Sequence, residues 1–137
     1  MAGPYFTQAP NVGQASITTV NTSTGTASDS TSNMNTLVTA NASYGTFVRK
    51  VVVAPRGGNA QCVVRLWLNN GSTRRLLAAQ QVNSTTASTT VPPPTLEIPV
   101  YVQIKAGWTL DANISAAASP LSAAVDLTAF GSDYPAP

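Results

Sequence analysis

At 137 residues and 14.1 kDa the chain has the length of one domain, with core enough to fold without disulfide staples. It has no histidine, one cysteine and five carboxylates, and only 9% of its residues are charged, against roughly 25% in ordinary domains. That inventory leaves little for proton transfer or for metal binding, so a non-enzymatic binding or structural role is expected, with no cofactor.

The net charge is +2, but the seven Lys and Arg are spread from Arg49 to Lys105, in no run longer than Arg49-Lys50 or Arg74-Arg75. Nucleic-acid binders concentrate their cations on one face or stripe, so no nucleic-acid partner is expected. Polarity comes instead from eighteen Thr, thirteen Ser and ten Asn, a mixture that favours strands and turns. The single Cys62 sits in the apolar row Cys62, Val64, Leu66, Leu68 and reads as a small buried hydrophobe, since there is no His to activate it. No signal-like segment and no apolar run of membrane-spanning length stands out, so synthesis in a cytoplasm and no membrane partner are expected.

Residues 1–35 are low in complexity, with Asn21 to Asn33 almost wholly Thr, Ser, Asn, Gly and Ala. Such a stretch has too few large apolar groups to offset its ordering entropy alone. Two readings stand: a disordered tail, or an extended arm that orders against another subunit. In the second, Ser16 to Val20 forms a strand on a neighbouring edge, with Ile17 and Val20 as its apolar contacts. The expected division is an arm over 1–35 and a β domain over 36–137.

From there the pattern sharpens. Thr36 to Ala40 and Thr46 to Ala54 read as strands, the second closed by Pro55-Arg56-Gly57-Gly58. Gln61 to Asn69 follows and ends at Asn69-Asn70-Gly71-Ser72, whose Asn-Gly is a hairpin signal, with Arg74 to Val82 as the returning strand. Pro92-Pro93-Pro94 cannot lie inside a central strand. Leu96, Ile98, Val100, Val102 and Ile104 then share one parity; Pro99 falls on the other and implies an edge or a bulge. Trp108, Leu110, Ala112 and Ile114 repeat the alternation with Trp108 on the core side, as do Ala123, Val125, Leu127 and Ala129. No 3.6-residue periodicity competes. Seven or eight strands at near-regular spacing predict an all-β antiparallel fold, a sandwich or a barrel.

Three carboxylates, Glu97, Asp111 and Asp126, fall on outward parities and read as solvated charges. Asp111 and Asp126 would face each other if the last two strands paired, which would suggest a cation or a basic partner; a carboxylate-based hydrolase would need Asp111 and Asp126 or Glu97 to converge in a cleft. Arg74-Arg75 flanks the tight turn, which exposes at least one guanidinium: either a solvated flank or a contact to an acidic partner. Trp67, on the same side as Arg65, lies opposite its strand's apolar row, and so do Tyr101 and Phe130 in theirs. Large aromatics on the nominal solvent face imply packing within one sandwich, a partner surface or a sugar ligand. The residues expected at a partner interface are Ile17, Val20, Arg65, Trp67, Arg74, Arg75, Tyr101 and Phe130.

The stretch from Phe47 onward resembles small virion-associated proteins of tailed bacteriophages and prophages. The residues that carry the likeness are Val63 to Ser72, Arg75-Leu76-Leu77, Glu97-Ile98-Pro99-Val100, Ala106 to Leu110, and Ala129 to Tyr134. They span about two thirds of the chain and are structural, with no catalytic residue among them. The resemblance implies a small antiparallel β-sandwich, jelly-roll-like, that serves as a capsid decoration (cement) protein on the virion surface and is made in the bacterial cytoplasm. It also implies a homotrimer bound to the major capsid protein of a phage shell. The alternative is a tail or adhesin module that holds glycans through exposed aromatics.

Overall fold

The computed structural model describes residues 10–19, 33–56, 58, 60–115 and 125–134. Among them lie eight strands: β1 (Pro10–Ile17), β2 (Asn35–Thr39), β3 (Thr46–Pro55), β4 (Cys62–Asn69), β5 (Arg74–Val82), β6 (Leu96–Ile104), β7 (Thr109–Ser115) and β8 (Val125–Asp133). They form two four-stranded sheets, β1-β8-β3-β6 and β2-β7-β4-β5, with every pairing antiparallel. The molecule is all-β, as the alternation predicted, and of the two architectures open to that pattern it is the sandwich. Only β4 and β5 are joined as a hairpin within one sheet; every other consecutive pair crosses between sheets.

The core between the sheets is built from the predicted parities. Val48, Val51 and Val53 of β3, Val64 and Leu66 of β4, Leu110 and Ile114 of β7, and Val125 and Leu127 of β8 are all fully buried. Each such side chain contributes about 1.5–3 kcal/mol relative to exposure, which makes these rows the dominant stabilising term. Cys62 is buried among them, and Trp108 packs half-buried against the same core.

Two local devices keep the rows aligned. In β3, Val48 pairs with Gly131 of β8 while Lys50 pairs with Phe130, so Arg49 is one residue too many and the strand bulges there. The bulge lets Thr46 and Val48 before it, and Val51 and Val53 after it, all point inward. On the other side of β3 the same irregularity takes up Val100 and Tyr101 of β6. Pro99 lies next to it on β6, an edge strand, as a proline without a donor requires.

The β4–β5 turn forms where Asn70-Gly71 predicted it. Asn70 Oδ1 accepts from the backbone N–H of Ser72 at 2.9 Å and of Thr73 at 2.8 Å, while Gly71 takes the positive φ of 95°.

The segment expected as an arm contributes a strand where the structure describes it. β1 is an integral edge strand of the sandwich, paired with β8 at eight successive positions. Its inward residues Asn11, Gly13 and Ala15 are small or polar, so no apolar alternation announces it, and only Ile17 enters the core. The expected strand at 16–20 therefore lies earlier in the chain. Small size is what this edge requires, because β1 lies against β2 of the opposite sheet. A Cβ built on Gly13 would stand 1.7 Å from the Leu37 carbonyl oxygen.

Near that edge a polar network joins the sheets. Asp133 Oδ1 accepts from Thr46 Oγ1 at 2.6 Å and from Asn11 Nδ2 at 2.7 Å. The Thr46 hydroxyl in turn receives the Asn41 backbone N–H at 2.9 Å, and the Asn11 amide reaches the Thr39 carbonyl at 3.3 Å.

Gly13→Ala is expected to lower stability by about 1–3 kcal/mol, the scale of overpacking a tight contact, because the obstacle is backbone. Urea denaturation of the two proteins measures it; equal midpoints would show that β1 and β2 can separate freely.

Candidate interaction surfaces

The centre of the outer face of the β2-β7-β4-β5 sheet is closed by its own side chains, while Leu76 on the edge strand β5 stays exposed. Trp67 is only 7% exposed, and its indole Nε1 donates to Asn113 Oδ1 at 2.8 Å. Beside it Asp111 is 1% exposed, against the expectation of a solvated charge. Its carboxylate accepts from Arg74 Nε at 2.7 Å and Asn69 Nδ2 at 3.0 Å on Oδ2, and from Thr109 Oγ1 at 2.8 Å on Oδ1. Parity sent Asp111 to the correct face. Burial follows because β7 lies between β2 and β4, where Trp67 is its cross-strand partner and Arg74 reaches over from β5.

This packing removes several expected contacts from the free surface. Trp67 is held inside the layer, and half of the Arg74-Arg75 pair is engaged. Arg65 is half-buried opposite Asn113, while Arg75 is exposed. Ile17 is 1% exposed within the core, and Val20 lies outside the described residues.

The outer face of the β1-β8-β3-β6 sheet is more open. A cross-strand row runs Val12, Phe130, Lys50, Pro99. Val12 is exposed, Phe130 half-buried. Lys50 Nζ lies 5.8 Å from the Phe130 ring centroid and 2.8 Å from Glu97 Oε1. Further along, Arg56 grips Asp126 with two hydrogen bonds of 3.0 and 3.1 Å and reaches Ser16 Oγ at 3.2 Å. The Arg56 hydrogen bond holds the Asp126 carboxyl below its usual range; partial burial opposes this and Ser16 supports it. Tyr101 stands at the β6 irregularity with φ of 45° and is 72% exposed.

The three outward aromatics therefore do not form one surface. Tyr101 and Phe130 share a face, and Trp67 is on the opposite sheet. Asp111 and Asp126 likewise do not face each other, because β7 and β8 belong to different sheets. Glu97 is paired with Lys50, so the three carboxylates weighed as a catalytic set are dispersed. A cavity of about 510 Å³ lies under the β5–β6 connection, between Pro55, Val82, Val91 and Leu96. Among the described residues no ionisable side chain lines it.

The bulge at Arg49, which sequence reasoning missed, does have a signal. Two consecutive cations between Phe47-Val48 and Val51-Val52-Val53 break strict alternation, since unbroken parity would send one of them into the core.

Two predictions follow from these geometries. Arg74→Ala should cost about 3–5 kcal/mol by stranding the buried Asp111 carboxylate, whereas Lys50→Ala should cost within about 1 kcal/mol as an exposed pair. Chemical denaturation of both variants checks the contrast; equal losses would refute it. The second concerns pH. Asp126 is depressed in the folded chain, so the unfolded chain binds its proton first. The pair's contribution is complete above the ordinary carboxylate range and fades as pH falls through the depressed value. Asp126→Asn should thus lose stability at neutral pH and converge on wild type in acid, read from denaturation midpoints across pH.

No protein-family model matches the chain, and no curated protein matches it in sequence. Among solved structures it is similar in fold to a chain of the cyanophage Pam1 capsid asymmetric unit. The identity is 15% and the TM-score 0.50, over 97% of this chain and 89% of that one.

Proposed function

We propose that the chain is a non-enzymatic structural component of a phage particle, a capsid decoration or cement module that docks as a homo-oligomer on the outer shell. The observation that carries the reading is the likeness to a chain of a phage capsid asymmetric unit across nearly the whole length of this one. The strand order supports it: β1-β8-β3-β6 against β2-β7-β4-β5 is the order of an eight-stranded jelly roll, an architecture much used in viral capsids. The dispersal of Glu97, Asp111 and Asp126 into separate, satisfied pairs favours contact over hydrolysis. A glycan-binding role draws less support, because Trp67 is buried and cannot offer its ring to a sugar.

A cement module acts by binding the assembled shell and not its free subunits, so it stabilises assembly by mass action. Purified protein is expected to run as a trimer by light scattering, to bind shells that lack it, and to raise the temperature at which those shells come apart. A monomer at high concentration that leaves shell stability unchanged would overturn the proposal.

A further inference from the structure

Tyr101 is placed at a disadvantage to the folded monomer. A bulky L-residue with φ of 45° occupies the left-handed region, which costs of order 1 kcal/mol or more. Its ring makes little packing in return, being 72% exposed. The irregularity of β6 that holds Tyr101 lies directly opposite the β3 bulge, which places exposed Arg49 across from it. Phe130 and Val12 continue apolar surface from there across β8 and β1.

Charge narrows what this surface fits. Its two carboxylates, Glu97 and Asp126, are engaged by Lys50 and Arg56. Arg49 makes no ion pair among the described residues. The face therefore presents a Tyr–Arg pair with one cation uncompensated, beside apolar surface. Tyr and Arg are the side chains that most often dominate protein–protein contacts, and Arg suits a bidentate carboxylate partner.

We propose that the outer face of the β1-β8-β3-β6 sheet, anchored by Tyr101 and Arg49, is the docking surface for a protein bearing carboxylates around an apolar socket. The proposal rests on the capsid reading and names its face and the chemistry of its partner. The opposite outer face offers less, because its aromatic and its carboxylate are already satisfied internally.

The test uses full-length protein and shells that lack it. Tyr101→Gly relieves the strained φ, so its thermal midpoint should stay level or rise while shell binding weakens by about tenfold or more. Arg49→Glu should weaken binding similarly, and added salt should weaken wild-type binding but partly restore binding by this variant, whose new carboxylate repels those of the partner. Leu76→Ser, exposed on the other sheet, should bind as wild type. Wild-type binding by Tyr101→Gly and Arg49→Glu, or loss in Leu76→Ser alone, overturns the assigned face while leaving the capsid reading intact. Failure of wild type to bind shells overturns both, as does Tyr101-dependent binding to cell-envelope polysaccharide instead.

Discussion

One extra residue in β3 keeps the inward row of a whole sheet in phase. Side chains alternate with period two, so a strand that changes parity midway would turn half of its apolar residues toward solvent. The bulge at Arg49 absorbs that change, leaving Thr46, Val48, Val51 and Val53 all facing the core. Because β3 lies between β8 and β6, both neighbours take their register from it. β8 adjusts without an extra residue; β6 answers with the irregularity that projects Tyr101. The constraint that completes the core thus also shapes the exposed face.

The polar interactions divide by burial more than by number. Lys50–Glu97 and Arg56–Asp126 lie at the surface, where screening leaves little net stabilisation. Asp111 differs: buried, and held by Arg74, Asn69 and Thr109, it would be a severe liability with any one of its stronger partners removed. Its value lies in fixing arrangement, since β4, β5 and β7 must all be in register for the three donors to converge. The Asn11–Thr46–Asp133 network does the same across β1, β3 and β8.

Alternation made most of this fold legible. The segments from Leu96 to Ile104, Trp108 to Ile114 and Ala123 to Phe130 match β6, β7 and β8 to within a few residues, because each buries one face of aliphatic side chains. β1 escaped because a strand packed tightly against the opposite sheet needs Gly13 and Ala15, which carry no apolar signal. The exposure of outward side chains was harder to read. Parity tells which face a side chain takes but not what covers that face, so Trp67 and Asp111 read as exposed although cross-strand neighbours enclose them. Tyr101 was legible because an edge strand has fewer neighbours to cover it.

The placement of β8 sets the timing of folding. It is the eighth strand along the chain, yet it sits between β1 and β3 and supplies Val125, Leu127 and Ala129 to the core. A nascent chain that has emerged only as far as β7 can close the β4–β5 hairpin locally and add β2 and β7 to it. The other sheet must wait, with β1 and one side of β3 unpaired, until residues 125–133 arrive. Pairings so distant in sequence are slow to form. Until then β1 and one side of β3 lack the same partner, so neither edge of that slot is closed by local chain alone.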